Sequence, residues 1–427
     1  MKQRIIYTVL ISVLGLNLFF GAQLYLNSAE SDNRNDAYSN MIVFTRVLEE
    51  VRDHYVDANK VHYPDLIEGA LKGMLDRLDP HSAYMDPRRF RNMQTDTRGE
   101  FGGIGITVDK RDGWLTIVAP MDGTPGAKAG LMAGDQIRKI GPHSTEKMTM
   151  QDAVERLRGP IGKAVTFTIF RPSAKPEERE RDVTVVRARI QVPTVSDINR
   201  KQDFKLLDDK IGYVRLSQFG DRTADELEAA LRRMESKGMR ALVMDLRNNP
   251  GGLLEQSIRV VEKFLPKGKL VVSTEGRNPA DTRRHIANCV FKIREYPLVV
   301  LVDGGSASAS EIVAGCLKDY KRADLVGEKT FGKGSVQSIL QLQNGAALRL
   351  TTAKYYTPSH KEIHDMGIGP NHKVVHDPQR KMDLFRKNIP GGLDNLDPKD
   401  RERISKAQDD QLNKGLEILR AGLAKGE

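Results

Sequence analysis

The chain has 427 residues, 39% of them hydrophobic and 29% charged, which gives room for two or three globular domains and excludes a disordered or fibrous protein. Its net charge of +10 is moderate and spread along the chain, so it reads as a solubility feature or a mild attraction to an anionic membrane, with no nucleic-acid patch. Two cysteines, Cys289 and Cys316, cannot build a disulfide framework, and no Cys/His spacing suited to a metal occurs, so neither metal nor cofactor is expected.

The N-terminus places Lys2 and Arg4 before an apolar run from Ile5 to Phe20 that continues less purely to Leu26. That is the n-region and h-region of a secretory signal. The run is long for a cleaved peptide and just long enough to cross a bilayer, so an uncleaved anchor is expected ahead of cleavage near Ser28-Ala29, and either outcome exports the rest of the chain. After the polar stretch Glu30 to Asn40, Val43, Val47, Leu48, Val51 and Tyr55 repeat at helical spacing. Leu66 to Leu78 reads as a second amphipathic helix, ended by Asp79-Pro80, and His81-Ser82 reads as turn chemistry rather than a catalytic pair.

From Glu100 to Arg171 the pattern becomes short strands and glycine turns. Gly102, Gly103, Ile104, Gly105 and Ile106 form a glycine loop that runs into an alternating strand. Ala129-Gly130-Leu131 precedes Gly134-Asp135-Gln136-Ile137, Thr149 to Leu157 reads as a helix, and Lys163 to Arg171 as a strand. This arrangement resembles a PDZ domain, in which a peptide C-terminus docks as an added strand and loop N–H groups take its carboxylate. The resemblance makes Gly102 to Ile106 the carboxylate loop, and Arg158 a candidate contact to substrate or to the neighbouring core.

Beyond Val192 strands and helices alternate. Ile211–Leu216, Ala241–Leu246, Leu270–Thr274, Leu298–Val302 and Ala323–Val326 read as strands, and Thr223–Ser236, Leu254–Phe264 and Ser308–Tyr320 as helices, which predicts a layered α/β core. Cys316 falls on the last helix and reads as core. Asp245-Leu246-Arg247-Asn248-Asn249-Pro250-Gly251-Gly252 follows a strand and opens a helix, so it is either a tight turn or a loop whose glycines free N–H groups for an anion. The run Leu298–Val302 leads into Asp303-Gly304-Gly305 and then serines at 306, 308 and 310. Ser308 and Glu311 have capping-box spacing and start the helix there. A hydroxyl on such a strand-to-helix turn sits beside free backbone N–H groups and the positive end of a helix dipole, the setting for a nucleophile and its oxyanion site. The G-x-S-x-G elbow of the α/β-hydrolases is absent.

Farther on, Gly327-Glu328-Lys329-Thr330-Phe331-Gly332-Lys333-Gly334-Ser335-Val336-Gln337 holds a lysine between two glycines, with Gln337 on its face four residues later. A buried lysine loses its proton more readily and can act as a base toward serine. The same stretch imitates a phosphate-binding P-loop, but Gly334 stands where that motif needs Ser or Thr, and strand-like residues follow where it needs a helix. From Asp397 to Lys425 the chain has helical spacing with a narrow apolar stripe, Ile404, Leu412, Leu416, Leu419 and Leu423, suited to packing on its own domain or on a second subunit.

Taken together, the two motifs resemble the carboxy-terminal processing proteases, a family of serine–lysine peptidases, over about Val43 to Pro370. The resemblance implies a multi-domain α/β protein with a crotonase-like ββα core, an inserted PDZ-like domain and helical N- and C-terminal segments. It divides the chain into a signal or anchor (1–28), a helical region (29–95), the PDZ-like domain (96–190), the protease core (191–380) and a C-terminal helical region (381–427). It selects Ser308 as nucleophile, Lys333 as general base and Gln337 as the residue that orients it, with oxyanion donors at Ala309 and at Gly251 or Gly252. It also implies an exported endopeptidase on the periplasmic side of the inner membrane or in the cell envelope, acting on polypeptides with free C-termini, probing them with its PDZ domain, and pairing as a homodimer, with an adaptor protein left open. The other class of reading is an inactive PDZ-containing peptide-binding scaffold, against which the intact Ser308, Lys333 and Gln337 set argues.

Overall fold

Strands covered by helices on both faces lose the alternation of polar and apolar residues, and the core strands of this chain are of that kind. In the computed structural model, which describes residues 36–121, 123–289, 293–388, 392–393 and 396–425, Ile211–Leu216, Ala241–Asp245, Leu298–Val302, Asp324–Gly327 and His372–Lys373 pair in parallel in that order. Val195–Ser196 adds an antiparallel edge. The period of two sorts their side chains. Leu242, Met244, Val300 and Val302 enter one cluster with residues of the helices Thr223–Glu235 and Ala309–Asp319. Ala241, Val243, Val299 and Leu301 enter a second with Leu412 and Leu419 of the helix Asp410–Lys425.

The predicted core elements recur with shifted ends. The serine helix runs Ala309–Asp319 with Ser308 as its cap, and Leu254–Val261 ends three residues before the expected Phe264. A second sheet orders Ser335–Gln341, Ala347–Tyr356, Leu270–Gly276 and Arg283–Ile286, all antiparallel. Its long hairpin carries Gln337 on a strand that begins two residues after Lys333.

The C-terminal stripe, expected as one helix, is two, Pro398–Lys406 and Asp410–Lys425. Asp397 caps the first by accepting from the Lys399 and Asp400 N–H groups, and at the break Asp409 receives both terminal nitrogens of Arg247 at 2.9 Å. Leu412 and Leu419 are buried on the core sheet, so the stripe is used inside the chain.

The glycine-rich region folds as a sheet ordered Ile106–Arg111, Trp114–Pro120, Gln136–Ile140, Ala164–Phe170 and Glu180–Val186. The helix Met150–Leu157 is capped by Thr149, whose hydroxyl accepts from the Asp152 N–H at 3.1 Å. Asp135, in the Gly-Asp pair of the sequence pattern, is 1% exposed and takes a two-point contact from Arg171, 2.6 and 2.7 Å.

The described chain divides into two compact units after Tyr84. In the first, Ala37–His54 and Tyr63–Asp76 are helices, the former burying none of its residues. Asp79 accepts from the His81 and Ser82 N–H groups and from the Ser82 hydroxyl, so His81-Ser82 is a turn as expected. The apolar run from Ile5 to Phe20 lies outside the described residues. No helix among the described residues is long and apolar enough to cross a membrane.

Candidate active site

Three serines compete for the role of nucleophile, and their hydroxyls have different fates. Ser306 is fully buried and donates to the Leu246 carbonyl at 2.8 Å, while Ser310, equally buried, donates to the Asn249 carbonyl at 2.9 Å. Both brace the turn. Ser308 is half-buried and holds φ +54°, ψ −113°, a region that costs a non-glycine residue about 1–3 kcal/mol and recurs at functional turns. The turn is held on both sides. Asp303 Oδ1 accepts from the N–H groups of Asn248 (2.8 Å) and Gly305 (2.9 Å), and the Ala307 N–H donates to the Asn249 carbonyl at 3.0 Å.

Gly251 lies directly against this turn. A Cβ there would meet the Ala307 carbonyl oxygen at 2.7 Å and Ser308 Cβ at 2.8 Å, and the residue sits at φ +99°, so only glycine fits. Its N–H is taken by Asn249 Oδ1 at 2.9 Å. Gly252 is exposed, and its N–H, like that of Ala309 at the first position of the helix, meets no acceptor among the described residues. The geometry therefore separates the two glycines. Gly251 permits the close approach, and Gly252 has the available donor.

Lys333 and Ser308 meet through a residue that sequence reasoning treated only as a cap. Glu311 is fully buried. Its Oε2 accepts from the backbone N–H groups of Ser308 (2.8 Å) and Lys333 (2.9 Å), and its Oε1 from the Thr330 hydroxyl (2.6 Å) and the Gly332 N–H (2.7 Å). One carboxylate thus ties the serine turn to the lysine loop. Burial pushes the Glu311 carboxyl above its ordinary range, and these four donors oppose the shift. The signal was the Glu of the S-x-x-E pattern, but its partners lie 21 and 22 residues on, beyond any local pattern.

The Lys333 side chain is half-buried, and burial, reinforced by the like charge of Arg349, lowers its pKa. Gln337 sits at a β-bulge, where its amide donates to the hydroxyls of Ser335 (3.2 Å) and Thr351 (2.7 Å). Its Oε1 is buried with no donor among the described residues, an acceptor left open for a cation. His364, beside Asp365 in sequence, offers the residue types of a Ser–His–Asp triad and so is the rival base to Lys333. A Cβ on Gly334 would meet the His364 backbone nitrogen at 2.1 Å, and His364 Nε2 stands 3.7 Å from the exposed Asp365.

In the glycine-rich domain, Ile106–Arg111 is an edge strand, and the Ile104 and Gly105 N–H groups before it meet no acceptor among the described residues. The carbonyls of this loop are occupied, Ile104 by the Gly126 N–H at 2.6 Å and Gly105 by the Met121 N–H at 2.9 Å. Gly102 abuts the Gly159 carbonyl, and Gly103 lies against the Phe101 ring. Arg158 is engaged within the unit, 2.9 Å from Asp96 and stacked over Phe101 at 4.1 Å.

Comparison with known proteins agrees with this architecture. Residues 210–374 match peptidase family S41, residues 116–171 a PDZ domain, and residues 20–88 the activating protease CtpB N-terminal domain. The chain is 42% identical to a carboxy-terminal-processing protease of Bartonella bacilliformis, over 87% of this chain and 82% of that one. It is 38% identical to a carboxyl-terminal-processing protease of Synechocystis, over 72% and 71%. A putative S41 protease from Bacteroides fragilis shares the fold, with a TM-score of 0.50 at 18% identity, over 85% of this chain and 97% of that one. The chain is a peptidase that belongs to the carboxy-terminal processing protease family and carries that family's PDZ domain.

Proposed function

We propose that this peptidase is a serine endopeptidase that cleaves polypeptides at or near their C-termini with a Ser308/Lys333 dyad. Neutral Lys333 takes the proton as Ser308 Oγ attacks the peptide carbonyl. The Ala309 and Gly252 N–H groups hold the oxyanion, each such donor contributing roughly 3 kcal/mol to the transition state. Lys333 then returns the proton to the leaving amine, and water hydrolyses the acyl-enzyme. Gln337 Oε1 receives the ammonium and fixes its direction. The observation that carries this reading is the single Glu311 oxygen bonded to the backbone of both Ser308 and Lys333.

The finer parts of the proposal rest on the family. The core is of crotonase-like ββα type, with the PDZ domain spanning 96–190 and the protease core 191–380. The PDZ loop takes the substrate's terminal carboxylate through the Ile104 and Gly105 N–H groups. The protein is exported, held at the membrane by its N-terminal segment, and works as a homodimer. A fluorophosphonate probe should label Ser308, and Ser308→Ala should lose both the label and casein cleavage. A Ser308→Ala protein that still cleaves casein would sink the dyad. For the anchor, mature protein should fractionate with membranes after a high-salt wash, and an N-terminus beginning near Glu30 would contradict it.

A further inference from the structure

Behind the loop that carries Gly251 lies a cavity of about 60 Å³, several times the roughly 10–15 Å³ that one water needs. Three guanidinium groups, Arg200, Arg215 and Arg247, line it together with His376. Arg247 is saturated, bonded to Asp245 and Asp409. Arg215 reaches Asp245 at 3.4 Å and the Arg247 carbonyl at 2.9 Å, but its Nε is buried with no acceptor among the described residues. The Arg200 guanidinium makes no hydrogen bond among the described residues, and its Nε is also buried. His376, with a side chain 3% exposed, has an Nε2 without a hydrogen-bond partner among the described residues, and Asp410 stands 4.0 Å away.

Arg215 and Arg247 both bond Asp245, and Arg247 also bonds Asp409. Asp303, also on the wall, has its Oδ1 filled by the Asn248 and Gly305 N–H groups, and Lys381 at the rim is paired with Glu328 at 2.8 Å. Arg200 Nε, Arg215 Nε and His376 Nε2 are thus three buried nitrogens without hydrogen-bond partners among the described residues, on residues that line one space.

We propose that this cavity binds a small oxyanion, of phosphate or carboxylate class, held by Arg200, Arg215 Nε and His376 Nε2. Planar guanidinium donors suit both classes. The wall continues through Asn248 into the turn that carries Ser308, so the ligand would brace the catalytic loop from behind without touching substrate.

The test uses the full chain in chloride buffer, titrated separately with inorganic phosphate and with acetate at matched ionic strength, with melting temperature and heat of binding as readouts. Either anion should give a saturable rise in Tm beyond that of chloride, and which one does so assigns the class. Arg200→Met removes a half-buried guanidinium whose Nε has no hydrogen-bond partner among the described residues, so it should bind the anion roughly tenfold or more weakly. His376→Phe, which removes the unpartnered ring nitrogen while keeping an aromatic ring, should also blunt the response. The proposal is overturned if neither anion exceeds chloride, or if Arg200→Met and His376→Phe respond as wild type does.

Discussion

Lys333 can act as a base only in the fraction of molecules where it is neutral. An ordinary lysine, with a pKa near about 10.4, is almost wholly charged at neutral pH. Burial disfavours the ammonium, and Arg349 repels it, so both displace the pKa downward. Activity should therefore climb as pH rises through that lowered value, instead of levelling off above roughly 6.5 as an unperturbed histidine base would. Arg349→Met removes the smaller of the two causes and should move the rising limb toward higher pH. Lys333→Ala and Lys333→Arg should both fold and both fail to turn over, because arginine cannot give up its proton. His364→Ala should retain most activity. Casein cleavage surviving in the Lys333 variants while His364→Ala is inactive would reverse the assignment.

At the scale of elements, the catalytic turn depends on a close contact that only one residue type allows. Gly251→Ala introduces a Cβ that meets the Ala307 oxygen and Ser308 at a residue with φ +99°. The conformation alone costs about 1–3 kcal/mol, and a displacement near 1 Å at the serine can cost roughly a hundredfold in rate. A Gly251→Ala enzyme with unchanged kcat and unchanged urea midpoint would show that the turn does not rely on this packing. The strand-and-helix order of the core and the motif around Ser308 were legible in the sequence, because parallel strands appear as apolar runs and the cap has a local spacing. Which glycine has the available N–H was not legible, since that depends on the Asn249 side chain folding back to Gly251. Nor was the second role of Glu311, which needs the lysine loop delivered by tertiary structure. The C-terminal break is of the same kind, fixed by Arg247 meeting Asp409 across 162 residues. The PDZ edge gives a prediction of its own. A peptide with a free apolar C-terminus should bind more tightly than its amide, because the Ile104 and Gly105 N–H groups meet no acceptor among the described residues and favour an anion. Equal affinity for both forms would remove carboxylate recognition.

At the scale of the whole molecule, the second face of the core sheet is covered by the last helix of the chain. Val243, Val299 and Leu301 are fully buried beneath Leu412 and Leu419, and Gly415 lets the helix approach Val299 closely. What holds this helix in register is polar. Asp245 is buried at the end of its strand, where burial alone would raise its pKa, but Arg247 and Arg215 outweigh that and hold it well below the usual carboxylate range. Arg247 also reaches Asp409, just before the helix begins. Removing one partner of such a buried pair typically costs about 3–5 kcal/mol, because the charge left behind has no replacement. Arg247 keeps Asp245, so Asp409→Ala should fall toward the lower end of that range, seen as a lower urea midpoint with an unchanged slope. The network also fixes a pH dependence. A carboxylate whose folded pKa is depressed contributes stability that is present above its ordinary pKa near about 3.9 and is lost as pH falls below it. Wild type should lose stability on acidification through that window, and Asp245→Asn should be weaker at neutral pH and less sensitive to acid. Truncation after Lys406 goes further, exposing the apolar sheet face, and should give aggregation rather than a weakened but soluble enzyme. A soluble truncated chain with the wild-type urea midpoint would mean that the helix is an appendage and the core is complete without it.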